Sequence, residues 1–218
     1  MAYLALELLG SFQATLDGQP IQGLNSVRLR ALLAYLAVER GREHSREQVA
    51  SLLWPERPDR EALSALRNAL SNLRAALGDR QMASPILLVT RTRLQFNPAS
   101  DCWLDVAEFE RLMQEAGSEQ QGSDAHLRLL TSCVTLYRGP LLQDLSVPDS
   151  PTFDEWVLFK GEEYRRGALS MLEKLTSLQM ARGEIAKAAG WARRQIELEP
   201  YREQAHRQLM AALALDGE

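Results

Sequence analysis

The run from Ser45 to Arg93 constrains this chain more tightly than any other part of it. Ser45-Arg46-Glu47-Gln48 places a glutamine three residues after a serine, a pairing that caps a helix start reciprocally. Val49, Leu52 and Leu53 give the short helix that follows one apolar face. Trp54-Pro55 stops it, because proline disfavours helical backbone in the residue before it. After a break over Trp54–Asp59, Asp59 is placed to cap a long helix that runs to Leu77, with Gly78 at the position where a left-handed residue often closes a helix. Ile86–Val89 and Arg93–Phe96 are β-rich runs around Arg91-Thr92, which predicts a hairpin, and Asn97-Pro98 closes it.

Stepping 100° per residue from Leu66, the side chains of Leu63, Leu70, Leu73 and Leu77 fall within about 60° of it. The opposite half carries Ser64, Arg67, Asn68, Ser71, Asn72, Arg74 and Ala75, with no acidic residue among them, although Glu61 lies in the first turn. Guanidinium, amide and hydroxyl groups are the ones that read base edges and phosphates, and small Ser and Ala allow close approach to a groove. A short capped helix, a long polar-faced helix and an Arg-bearing ribbon, in that order, suit a protein that lays one helix in the DNA major groove and rests the ribbon on the adjacent backbone. The candidate DNA-binding residues are Arg67, Asn68, Ser71, Asn72, Arg74, Arg91 and Arg93. Arg67 and Arg74 sit at the flanks of the polar face, so each is open to two roles, phosphate anchor or intramolecular ion pair. Arg28 and Arg30 flank an earlier helix and are further candidates for backbone contact.

That earlier helix carries Leu29, Leu32, Leu33 and Leu36 as one stripe, with Asn25 or Ser26 as its cap and Gly41 at its end. Before it, Leu4, Leu6 and Leu8 alternate at period two, and Phe12, Ala14 and Leu16 do the same. With the turn signal Asp17-Gly18 and a third short run near Gln19–Gln22, this predicts a small antiparallel sheet. Beyond the hairpin the chain reads as helical. Val106, Phe109, Leu112 and Met113 form one stripe, and Leu127, Leu130, Val134 and Tyr137 form another after Ser123. Gly139-Pro140 breaks the chain, Val147–Thr152 is a loop, and a long helix spans about Phe153 to Ala181. Arg182-Gly183-Glu184 recurs as Asp216-Gly217-Glu218, a spacing of 34 residues, and the intervening segment splits at Glu199-Pro200. A helix–turn–helix unit of about 34 residues is the tetratricopeptide period; an ordinary helical hairpin is the other reading.

Several function classes fall away. At 218 residues and 45% hydrophobic the chain suits a globular protein with a real core, in one or two domains. No apolar stretch approaches the roughly 20 residues of a membrane helix, and Met1–Gly10 lacks the basic start of a signal peptide. Cys102 and Cys133 have no redox spacing, which implies a reducing cytoplasm. His44, His126 and His206 lack ligand spacing, so no metal or other cofactor is expected. No paired carboxylates or nucleophile–base set appear, so an enzyme is not expected. Residues 1–93 hold 12 Arg, no Lys and 9 Asp or Glu, a net of +3, which leaves −7 for residues 94–218 within the total of −4. A basic half joined to an acidic half fits a polyanion-binding module fused to something else.

Five segments, in order, resemble the bacterial antibiotic-regulatory-protein type of transcriptional activator. Val27–Pro55 and Leu63–Asp79 are similar to its winged helix, which is like that of response-regulator output domains. Asp105–Met113, Leu136–Leu142 and Leu198–Leu213 are similar to its bacterial transcriptional activator domain. The resemblance implies binding to double-stranded promoter DNA at direct repeats and contact with RNA polymerase. It places the recognition helix on Asp59–Leu77, the wing on Thr90–Arg93 and a polymerase-facing loop on Trp54–Asp59. It also implies that relatives continue with more helices, some with an ATPase module, so that the helical array is truncated here. No phosphate-binding loop occurs, since Lys160, Lys174 and Lys187 are each followed by a residue other than Ser or Thr.

The expectation is therefore a mainly α protein with a small β component. Residues 1–98 form a winged helix-turn-helix, and residues 104–218 form a tetratricopeptide-like helical domain that serves dimer, polymerase or effector contacts. The alternative is a helical interaction adaptor whose winged helix does not bind DNA.

Overall fold

The computed structural model describes residues 3–82 and 84–216. Two compact units emerge, and they interleave along the chain: Met1–Ala107 with Leu141–Lys160, and Glu108–Pro140 with Gly161–Glu218.

In the first unit, β1 (Leu4–Glu7), β2 (Gln13–Leu16) and β3 (Gln19–Pro20) form the expected antiparallel meander. Asp17 and Gly18 both take positive φ, 52° and 76°, the backbone that matches a two-residue turn to strand twist. A strand not read from the sequence, Cys102–Leu104, joins β1 in parallel, with Leu4 opposite Cys102 and Leu6 opposite Leu104. Leu4 and Leu6 are fully buried while Ala5 and Glu7 are not, so period two survives on β1.

The helix α1 (Val27–Val38) corrects the single-stripe expectation, because every residue from Ala31 to Val38 is buried. A helix apolar all round belongs in the centre of a unit rather than on its surface. Ser26 is its N-cap residue, but the Ser26 backbone carbonyl, not its side chain, meets the first turn. The helix ends at Val38, before Gly41.

The strand β4 (His44–Ser45) leads into α2 (Arg46–Leu53), where Ser45 and Gln48 form the reciprocal cap: Gln48 N–H donates to Ser45 Oγ at 3.1 Å and Ser45 N–H to Gln48 Oε1 at 3.2 Å. Next comes α3 (Asp59–Ala76), which buries Ala62, Leu66, Ala69, Leu70 and Leu73. Its cap differs from the expectation. Asp59 is the first helical residue, and the N-cap is Pro58, whose carbonyl accepts from Glu61 and Ala62. Leu77 is the C-cap and Gly78 follows at φ +64°. The hairpin strands are β5 (Leu87–Val89) and β6 (Arg93–Phe96), and β6 also pairs with β4, giving the sheet order β4-β6-β5. The strand Cys102–Leu104 is thus β7.

From there α4 (Asp105–Ser118) starts in the first unit and ends in the second. Buried Asp105 accepts from the N–H groups of Leu8 and Leu9 at 2.7 and 2.9 Å, which closes the end of β1. The second unit also contains α5 (Asp124–Leu136), most of α6 (Pro151–Ala181), α7 (Ile185–Leu198) and α8 (Glu203–Asp216). Phe109 packs edge-on to Tyr164 and tilted to Tyr137. A polar line runs through the core of the last three helices: Gln195 Nε2 donates to Thr176 Oγ1 and Gln208 Oε1, and Gln208 Nε2 donates to Glu173 O and Ser177 Oγ. In the 34-residue recurrence, Gly183 takes φ +75° at the turn before α7, whereas Gly217 and Glu218 lie outside the described residues. No described helix is long and apolar enough to cross a membrane.

Leu70 points from α3 into the core of the first unit and is 3% exposed. Leu70→Asp places an unpaired carboxylate there, with an expected loss of about 3–5 kcal/mol in the first unit. A far-UV circular-dichroism melt with an unchanged midpoint would contradict the helix phase.

Candidate nucleic-acid interface

The helix α3 exposes a continuous polar strip because its leucines and alanines are taken up by the core. Arg67, Asn68, Ser71 and Asn72 are all exposed on it, as are Ser64 and Ala75. Arg60 is exposed too, and at about 120° from Leu66 it lies on the same face. The wheel that selects Arg67 also covers Arg60, which the acidic first turn around Glu61 masks in the sequence.

The wing is closed by its own threonine. Thr90 Oγ1 accepts from Arg93 N–H at 2.9 Å, while Thr90 N–H donates to Arg93 O at 3.0 Å. This tight link leaves Arg91 and Arg93 exposed. Arg93 also lines a hollow of about 520 Å³ with Arg42, Gln48 and Ser51, beside the start of α2. Buried His44 lies at its inner wall, with Nδ1 3.3 Å from the Tyr35 hydroxyl. Burial holds the His44 imidazole below its ordinary pKa, and nearby Arg42 adds to this, against the Glu39 carbonyl and carboxylate.

Helix and wing are clasped together by Asp79, a carboxylate only 1% exposed. Arg74 Nε donates to its Oδ2 at 2.8 Å, and the N–H groups of Ile86 and Leu87 donate to its Oδ1 at 2.5 and 3.2 Å. Of the two roles open to Arg74, the structure provides the ion pair.

The remaining arginines of the first unit sort by exposure and pairing. Arg28 spends its guanidinium internally, donating to Leu53 O at 2.9 Å, to Glu56 at 3.0 Å and to Pro148 O at 3.1 Å. These three bonds engage it within the unit, which makes it a weaker candidate for a DNA backbone contact than the exposed arginines. Arg42 pairs with Glu39, and Arg57 with Glu56. Arg30 and Arg46 are half-buried, each with its Nε sealed from water. Arg60, Arg67, Arg91 and Arg93 are exposed and form no ion pair among the described residues. All four lie on the α3 face or the wing. Four unneutralised guanidinium groups beside Asn68, Ser71 and Asn72 make a surface suited to a polyanion.

Among the described residues no three His, Cys, Asp or Glu side chains cluster to hold a metal. In the second unit, burial pushes the Cys133 thiol up to about 12, which leaves it inert.

A family model described as the bacterial transcriptional activator domain matches residues 104–218. The transcriptional regulatory protein EmbR of Mycobacterium tuberculosis is 31% identical over 145 residues, covering 63% of this chain and 36% of EmbR. The regulatory protein AfsR of Streptomyces coelicolor is 28% identical over 221 residues, covering 98% of this chain and 20% of AfsR. The transcriptional regulatory protein MoaR1 of Mycobacterium tuberculosis is 27% identical over 208 residues, covering 93% of this chain and 64% of MoaR1. A solved structure of Mycobacterium tuberculosis EmbR in complex with a low-affinity phosphopeptide superposes with a TM-score of 0.75 at 26% identity, over all of this chain and 56% of that one. The part of the chain that matches EmbR in sequence spans about a third of EmbR's length, and the chain spans about a fifth of AfsR.

Removing the clasp tests how the wing is held. In Asp79→Ala the N–H groups of Ile86 and Leu87 lose their acceptor and Arg74 its counter-ion, so stability should fall by about 3 kcal/mol. Amide hydrogen exchange at Ile86 and Leu87 should accelerate; exchange at the original rate would mean that the hairpin is fixed by other contacts.

Proposed function

The chain belongs to the bacterial transcriptional activator domain family, as a regulator of the AfsR type, and on that premise we propose that it binds double-stranded promoter DNA and activates transcription. The observation that carries this reading is the sorting of arginines in the first unit: among the described residues, the exposed ones without an ion pair lie on α3 and the wing.

In this reading α3 enters the major groove. Arg67 anchors a phosphate or a base edge at one flank, and Asn68, Ser71 and Asn72 read bases from the middle of the face. Arg60 adds a contact near the helix start. Arg91 and Arg93 rest on the backbone beside the groove, and Arg74 positions the wing through Asp79. Phosphate neutralisation releases counterions and supplies most of the affinity, so binding weakens steeply with salt. The segment 1–98 is the DNA-binding part and 104–218 the part that contacts partners. Direct repeats suit two copies arranged head to tail, with contacts between copies made through the helical part. In the segment Trp54–Asp59, Trp54 is buried and Pro55–Asp59 are exposed; in this reading those exposed residues face RNA polymerase. Such work is done in the cytoplasm, without cofactor or catalysis.

Fluorescence anisotropy against labelled upstream promoter fragments, at low and physiological salt, tests the reading. Saturable binding with a steep negative salt slope and a preference among fragments is expected. Flat anisotropy at low salt would favour the adaptor alternative. Within that assay Arg67→Ala should cost about 1–3 kcal/mol on the preferred fragment. Equal binding by the variant and the parent would take Arg67 off the interface. Arg91→Ala combined with Arg93→Ala should weaken binding on every fragment and shrink the log–log salt slope by about two, one for each phosphate left without its arginine. An unchanged slope would mean that the wing faces away from DNA.

A further inference from the structure

The helix α7 uses two faces. Ala188, Ala189, Ala192 and Gln195 are buried in the second unit. On another face Lys187, Gly190, Trp191 and Arg194 recur at steps of three and four, and with Gln179 of α6 they line a groove of about 610 Å³. That size falls within the roughly 300–1,000 Å³ typical of ligand sites.

Gly190 is the first sign that the groove is built for something. Glycine inside a helix is less stable than alanine. Gly190 is not among the residues with positive φ, and a Cβ built on it would meet no atom within 4 Å. Neither backbone conformation nor internal packing calls for glycine here. What it leaves is bare backbone facing the groove, which lets another chain approach closely.

Gln179 is the second sign. It is 6% exposed, its Oε1 is buried, and its side chain forms no hydrogen bond among the described residues. Gln195 also has an unpartnered Oε1, but its amide makes two hydrogen bonds through Nε2, to Thr176 and Gln208. A buried amide oxygen that accepts no hydrogen bond is costly unless a donor arrives to meet it. The donor and acceptor of the Gln179 amide complement the N–H and C=O of an extended peptide; a helical ligand would have spent its own on itself.

The charges set the sign of the visitor. Lys187 and Arg194 stand on either side of Trp191, against the single carboxylate of Glu197 among the groove residues. Lys187 pairs with Glu184 at 3.0 Å and Arg194 with Glu197 at 3.4 Å, both exposed pairs three residues apart that are worth little and exchange readily. Arg194 Nη2 also donates to Tyr137 O and Arg138 O at 3.4 and 3.3 Å, which pins the guanidinium in place.

We propose that this groove binds an extended acidic peptide segment of a partner protein. The peptide main chain crosses Gly190 and bonds to the Gln179 amide, an apolar side chain lies on Trp191, and Asp or Glu side chains meet Lys187 and Arg194. The site is separate from the arginines assigned to DNA and does not depend on that assignment.

The test is a synthetic array of eight-residue peptides, varied over Asp, Glu, Lys, Ser and Leu, probed with the whole chain. Selected peptides are then titrated by following tryptophan fluorescence. Binders should be enriched in Asp and Glu, and Lys187→Glu combined with Arg194→Glu should weaken them at least tenfold. Gly190→Leu fills the groove and should abolish binding. Gly190→Ala should raise the melting temperature while leaving affinity equal or weaker, since its methyl group meets nothing in the free protein. Should Gly190→Leu melt early, Trp191→Ala takes its place with the same expected loss. The proposal is overturned if no acidic peptide saturates, if basic or uncharged peptides bind as well, or if the groove-filling variant binds like the parent.

Discussion

Asp79 accepts hydrogen bonds from the Arg74 guanidinium and from two backbone N–H groups at the start of the wing, on a carboxylate almost sealed from water. Much of the first unit's geometry follows from it. Gly78 turns the chain out of α3 in a left-handed conformation, and the next residue reaches both the last turn of α3 and the first strand of the hairpin. Because β6 pairs with β5 on one side and β4 on the other, and Ser45 of β4 caps α2, that one carboxylate connects α3, the wing and α2 into a single frame. A buried charge is tolerable only when its oxygens are met by good donors, and here three donors meet two oxygens. The arrangement adds a positioned surface rather than net stability, since buried ion pairs often do little better than apolar packing.

The C-terminal end of α2 is secured differently. Its last carbonyls would be orphans in an isolated helix. Trp54 N–H meets Ala50 O, the Ser150 hydroxyl meets Leu52 O at 2.5 Å and Arg28 meets Leu53 O. Two of these donors lie far away in sequence, and Arg28 also holds Pro148 O and Glu56. The segment Leu141–Lys160 therefore completes the first unit instead of linking it to the second. Counting arginines along residues 1–93 overstates the cation available to a partner, because Arg28, Arg42, Arg57 and Arg74 already pair with three carboxylates, Glu56, Glu39 and Asp79.

Where the physics is local, the linear pattern is sufficient. The Ser45–Gln48 cap, the Asp17-Gly18 turn, the extent of α3 and the two wing strands each depend on residues a few positions apart, and each is readable. The cap of α3 falls one residue before the expected Asp59: aspartate is the stronger capping side chain, whereas here the Pro58 carbonyl meets the first turn. Long-range features leave no trace in periodicity. Nothing near Cys102 announces a strand that will pair in parallel with Leu4, and nothing in Leu141–Lys160 marks its return to the first unit. The same holds within the candidate interface. Arg67 and Arg74 look equivalent on a wheel, and only the fold, by placing Asp79 beside Arg74, separates a free cation from a spent one.

The second unit shows why an unbonded group carries information. Its core tolerates Gln195, Gln208 and Thr176 because they bond to one another and to Glu173 O, so the polar line fixes how α6, α7 and α8 register at little cost. Against that standard Gln179 is an exception, with no side-chain hydrogen bond among the described residues, and it occurs beside a helix glycine that the fold does not require. Each feature is slightly destabilising for the unit alone, and both face one groove. Local rules broken together at one place are more informative than either alone, because a sequence that specifies one structure keeps such exceptions for sites of function.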